Sequence, residues 1–136
     1  MDEKIAHLSF IQGVINRMGS NSFMIKGWCI ALVAAIFALS ADQANSSFAY
    51  LALFPLVIFW GLDSFFLRQE KMYRKLYEDV ANENVKSDKF TMNASAYSKD
   101  IGCYLEVAFS KTLLPFYGAM IVMILIFMWK VLELFN

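Results

Sequence analysis

Three long apolar runs punctuate the chain: residues 22–41 (SFMIKGWCIALVAAIFALSA), 48–67 (FAYLALFPLVIFWGLDSFFL) and 112–132 (TLLPFYGAMIVMILIFMWKVL). Each holds about 20 residues, enough to cross roughly 30 Å of hydrocarbon at 1.5 Å per residue. The pattern predicts an all-α integral membrane protein with three transmembrane helices. The first two are not clean: Lys26 lies near the start of one and Asp63 near the end of the other. A charge within a turn of a helix end reaches the headgroups, so Asp63 reads as the inner-boundary residue of the second span.

The stretches between the runs have their own periodicity. Residues 3–18 put Ile5, Leu8, Ile11, Ile15 and Met18 on one face and Glu3, Lys4, Gln12, Asn16 and Arg17 on the other, which predicts an amphipathic helix. It would either lie on the inner leaflet or pack on another cytoplasmic helix, and packing is the simpler reading. Gly19-Ser20-Asn21-Ser22 would break it, with Asn21 or Ser22 capping the first span. His7, on this helix, reads as a solvated or capping residue.

The second span should not stop at the membrane, because residues 62–80 contain no Gly or Pro and keep Phe65, Phe66, Met72, Tyr73, Leu76, Tyr77 and Val80 on one stripe. The stripe needs a partner, either the N-terminal helix or residues 95–110, where Tyr97, Ile101, Tyr104, Leu105 and Ala108 recur at helical spacing. Residues 81–93 read as a polar loop with Asn93 as an N-cap. The chain is thus one membrane domain: an amphipathic helix over 1–21, a hairpin over 22–67 joined by the DQANSS turn, a helical connector over 68–111, and a third span with a short tail over 112–136.

Within the spans, Gly27, Ala31 and Ala35 repeat at four-residue steps; in lipid, small residues at that spacing let backbones approach, which makes them a contact face, most simply within the hairpin. Pro55 should bend the second span, whereas Pro115 sits at the start of the third, where proline is tolerated. The third span has almost nothing polar and could face lipid.

Composition strengthens the membrane reading: 59% of residues are hydrophobic, 16% aromatic and 18% charged, against about 25% charged in ordinary soluble domains. With the spans subtracted, little is left to form a separate core, which favours an assembly. Zero net charge hides an asymmetry: eleven of the twelve Lys and Arg fall in residues 1–26 and 64–111, and only Lys130 lies beyond. The positive-inside bias then puts the N-terminus in the cytoplasm and the C-terminus outside. Trp28, Trp60, Phe116 and Tyr117 would line the inner interface, and Phe48, Tyr50 and Trp129 the outer.

Candidate chemistry is sparse. Cys29 and Cys103 read as reduced packing thiols, and no ligand spacing points to a metal or cofactor. His7 has no partner at catalytic spacing, and no phosphate loop or nucleophile elbow occurs, so no catalytic residue is assigned and an enzyme is not expected. Glu70 with Arg74 and Asp63 beside Arg68 read as helix-surface pairs, and nothing argues for nucleic acid. Lys26, Asp63 and Arg68 remain as candidate gating or interfacial charges. Gly27, Ala31, Ala35, Met72, Tyr73, Leu76 and Tyr77 are the candidate helix-packing and oligomerisation residues. Polar residues cluster at the two ends of the spans and leave the middle apolar, so a conduit would be closed by a hydrophobic constriction until the helices move.

An amphipathic N-terminal helix, a pair of spans joined by a short turn, and a long helix leaving the second span as LDSFFLRQEKMYRKLYEDV together resemble the SLATT-type membrane effectors of bacterial defence islands. The resemblance covers residues 5–80 in layout; the third span at 112–132 departs from it, and no site residue carries over. It implies a membrane part that damages the inner membrane when a cytoplasmic protein or a nucleotide signal triggers it; the cytoplasmic helices would join copies of the chain into a homo-oligomer. The alternative is a non-conducting scaffold that anchors a cytoplasmic partner through residues 65–110.

Overall fold

The computed structural model describes residues 2–43 and 50–135, with side chains at 41–43 and at 131, 132, 134 and 135 left undescribed. The described residues are helical, with no strand. Helix α1 runs Asp2–Gln43, α2 Leu53–Ala81, a 3-10 turn Ser95–Tyr97, α3 Tyr104–Ala108 and α4 Leu114–Phe135. The DQANSS turn lies, apart from its first two residues, outside the described residues.

Helix α1 is unbroken for 42 residues, about 63 Å at 1.5 Å per residue. The expected break at Gly19–Ser22 does not occur. Gly, Ser and Asn in a helix interior each cost at most about 1 kcal/mol, and tertiary packing along one face overrides that. His7, Ile11, Ile15, Ser22, Ile25, Cys29, Val33 and Ser40 are buried at three-, four- and seven-residue steps on that face. Asn21 and Ser22 are therefore mid-helix residues rather than caps.

Helix α2 packs antiparallel to α1: Lys4 meets Glu83 at one end, and Lys26 meets Asp63 further along. Pro55, expected to bend or loosen the span, lies just after a turn at residues 51–52. The helix begins at Leu53, so Pro55 falls in the first turn, where a missing N–H costs no helical hydrogen bond. Pro115 occupies the same kind of position in α4.

Two cores follow along the pair. The first gathers Cys29, Val33, Leu56, Leu67, Val107, Leu113, Tyr117, Met120, Ile124 and Met128, with Phe37 stacked on Phe127 at 4.1 Å. One face of α4 is thus packed, while Val122, Met123, Leu125, Ile126 and Trp129 stay exposed. The second core joins Ile11 and Ile15 to Met72, Leu76, Val80 and Ala94, with Leu8, Tyr73, Tyr77 and Tyr97 at its edge. Both expected partners of the α2 stripe are used.

Residues 95–110 do not form the expected helix. Arg68 donates to the carbonyls of Ser98 and Gly102 at 3.1 Å each, groups that a continuous helix would spend on its own backbone, and only the short Ser95–Tyr97 and Tyr104–Ala108 segments are helical. The 81–93 loop appears as expected. Glu83 and Phe90 adopt positive φ in it; Ala94, not the expected Asn93, is the N-cap of the turn that follows, while Asn93 Oδ1 accepts from the Ser95 N–H at 3.0 Å.

Tyr97 fastens this segment to α2 by donating to Asp79 Oδ2 at 2.6 Å. Burial, together with that bond and the Asp79 charge, pushes the phenol up to about 12. The raised value means this contact stabilises the fold below the ordinary phenol range and is lost as pH climbs from about 10 towards 12. In ultraviolet titration, the difference between wild type and Tyr97→Phe should show one tyrosine ionising near 12, and Asp79→Asn should move it back towards 10. A Tyr97 ionisation near 10 in the wild type would contradict the contact.

Among the described residues, one helix, α1, is long and apolar enough to cross a membrane, over Asp2–Ser40; Leu114–Lys130 is a shorter apolar helix.

Candidate functional site

At the middle of the α1–α2 pair, where α4 begins, four polar side chains meet. Asp63 is fully buried. Its Oδ2 receives the Lys26 ammonium at 2.6 Å and the Tyr117 hydroxyl at 2.8 Å, and its Oδ1 accepts from the Ser22 hydroxyl. Lys26 also donates to Ser22 Oγ at 2.8 Å and lies 5.8 Å from the centre of the Phe116 ring. Asp63 is therefore a buried, paired carboxylate rather than a charge that snorkels free of the helices. The expected approach of Asp63 to Arg68 is also replaced, since Arg68 turns to Ser98, Gly102 and Met72.

The local sequence explains the convergence. Ser22 and Lys26 are one turn apart on the buried face of α1, and the antiparallel pairing sets them opposite Asp63. Tyr117 is one turn into α4. Trp60, one turn before Asp63, lies flat on Tyr117 with ring centres 5.5 Å apart and donates Nε1–H to the Ala108 carbonyl at 2.9 Å. Ser64 returns its hydroxyl to the Trp60 carbonyl at 2.9 Å. Three helices are thus tied at one level by a single carboxylate. Stripping water from both ions is offset only because each lone pair of Asp63 that faces α1 or α4 meets a donor.

Sequence reading put Ser22, Lys26, Asp63 and Tyr117 at the same end of the spans but did not find their contacts: Ser22 stood as a cap and Tyr117 as an interfacial aromatic. The Ser22–Lys26 step on the face that also carries Ile25 and Cys29 was the available signal for one, and a hydroxyl inside the apolar stretch 113–129 for the other.

A second polar contact was also missed. His7 is buried, not solvated: its Nε2 lies 2.6 Å from the Thr91 carbonyl and its Nδ1 3.1 Å from Ser87 Oγ, with Phe90 edge-on at 6.0 Å. The carbonyl requires a proton on Nε2, so a neutral ring accepts from Ser87 through Nδ1. The loop folds over His7 because an unbroken α1 aligns it with Ile11 and Ile15.

The other expected residues divide. Met72 and Leu76 are buried in the chain's own second core, with Tyr73 and Tyr77 against it. Gly27, Ala31 and Ala35 point away from α2 and α4 and are exposed; the simple hairpin-contact reading of that face is therefore corrected. Gly27 and Ala31 line an open groove with Ser20, Phe23, Met24 and Trp28. Glu70 and Arg74 do form the expected surface pair, at 2.7 Å. No group of three or more His, Cys, Asp or Glu able to hold a metal occurs among the described residues. Compared with protein-family models, curated proteins and solved structures, the chain matches none.

Proposed function

We propose that this is an oligomeric inner-membrane protein that crosses the bilayer three times, over about 22–41, 48–67 and 112–132, with its N-terminus in the cytoplasm and its C-terminus outside. In this reading it acts as a regulated pore or membrane-perturbing effector in antiphage defence, triggered by a cytoplasmic protein or a nucleotide signal. The layout resemblance to SLATT-type effectors supports it. So does the exposure of large apolar side chains at membrane level, among them Phe23 at 80%, Phe54 at 72% and Val57 at 62%, an extent that soluble monomers do not leave bare.

The observation that carries the reading is the Lys26–Asp63 pair, which latches α1 to α2 and, through Tyr117, to α4. Separating the helices would open a polar route past Ser22, Asp63, Ser64 and Tyr117. The route meets an apolar constriction beyond, at Val33, Leu56 and Ile124, which closes it by dewetting until the helices part. Subunits meet through the exposed Gly27, Ala31 and Ala35 face, where small residues permit close backbone approach.

A scaffold reading has one observation in its favour: the groove between the start of α1 and the loop after α2, lined by Glu3, Lys4, Val80, Glu83 and Lys86 among others, is a place for a cytoplasmic partner to sit. Membrane potential in cells distinguishes the two. Expression of Asp63→Asn, which leaves Lys26 without its counter-charge, should depolarise cells well beyond the wild type. Unchanged potential with normal insertion favours the scaffold.

A further inference from the structure

Helix α3 leaves its apolar side bare. Leu105 is 70% exposed and Phe109, just past its end, 59%, yet the helix is firmly held: Val107 is buried in the same core as Cys29, Leu56 and Tyr117, and the Ala108 carbonyl takes the Trp60 N–H. The chain fixes its depth. Only five residues separate Ala108 from Leu114, the start of α4, so α3 ends within about 22 Å of it. Its bare face is also continuous with the apolar side of α2, because Tyr104 stacks on Phe65 at 6.3 Å and Phe109 meets Trp60 edge-on at 5.5 Å.

Beside this face lies Arg68, 4.8 Å from the Tyr104 ring centre. It is bonded to two carbonyls and a thioether and forms no ion pair among the described residues. A half-buried guanidinium without a carboxylate, next to an apolar helix at the end of a span, complements phosphate headgroups above acyl chains.

We infer that α3 is an interfacial helix docked on the inner leaflet, with Leu105 and Phe109 in the acyl boundary and Arg68 at headgroup depth. The inference rests on the membrane reading above and goes beyond it by assigning the connector a lipid-facing surface rather than a place in a cytoplasmic bundle. It has a mechanical consequence: Trp60 holds α3 at Ala108 and stacks on Tyr117, whose hydroxyl binds Asp63, so a shift of α3 in the leaflet bears directly on the Lys26–Asp63 latch.

The test is nitroxide accessibility. Spin labels are placed singly at Leu105→Cys, Phe109→Cys, Val57→Cys and Lys86→Cys in full-length protein with Cys29→Ala and Cys103→Ser, reconstituted in phosphatidylethanolamine–phosphatidylglycerol vesicles. The ratio of oxygen to nickel-chelate collision rates at 105 and 109 should exceed that at 86 several-fold and approach that at 57. Nickel-accessible labels at 105 and 109, with 57 still in lipid, overturn the inference alone. Labels at 105 and 109 shielded from both reagents also overturn it, because a protein surface then covers α3. Nickel accessibility at 57 as well overturns the membrane reading and this inference together.

Discussion

Lys26→Met should destabilise the protein by about 3 kcal/mol, the cost typical of removing one partner of a buried ion pair, and Asp63→Leu should do the same. The double variant should recover most of that loss. Each single change strands something different. Without Lys26, a fully buried carboxylate keeps only the Ser22 and Tyr117 hydroxyls and has no counter-charge. Without Asp63, the ammonium keeps Ser22 and the distant Phe116 ring, the Ser22 hydroxyl loses its acceptor and Tyr117 loses its short one. In the double variant, Met and Leu fill the space with apolar volume, Ser22 can turn back to its own helix, and Tyr117 retains a long approach of 3.4 Å to the Phe59 carbonyl. Denaturant unfolding in detergent, followed by tryptophan fluorescence, gives the cycle. Additive losses in the double variant would mean the two side chains do not act as a pair.

Leu76→Ala should cost about 2–5 kcal/mol, the range for emptying a well-packed leucine site. Leu76 is 1% exposed and is enclosed by Ile11, Ile15, Met72, Val80 and Ala94. Because its neighbours come from the same chain, the loss should appear in unfolding by circular dichroism with the particle mass in detergent unchanged. A fall in particle mass with little change in stability would mean that the stripe serves a subunit contact instead.

The parts of the fold that were legible in the sequence are those set by local pattern. The stripe from Phe65 to Val80 uses 3.6-residue periodicity with no Gly or Pro, and α2 runs through it. Glu70 and Arg74 are one turn apart and pair regardless of the rest of the chain. What could not be read depends on tertiary register or on competition. Gly19–Ser22 has the composition of a break, but the penalties are small and packing against α2 outweighs them. Residues 97–108 have helical spacing, yet Arg68, about thirty positions earlier, takes the carbonyls a helix would need. Asp63 looks like an end-of-span charge until the antiparallel pairing sets it opposite Ser22 and Lys26, and His7 looks solvated until the loop containing Ser87 and Thr91 closes over it.

Whether the latch gates a conduit is tested most directly in sealed vesicles. Purified wild type, Asp63→Asn and the Lys26→Met/Asp63→Leu double variant are reconstituted at equal density with a self-quenching dye inside. Wild type and double variant should hold the dye, the first through the ion pair and the second through apolar packing, while Asp63→Asn should release it many-fold faster. Equal retention by all three, with Asp63→Asn inserted and helical, would contradict a pore held shut by Lys26 and Asp63.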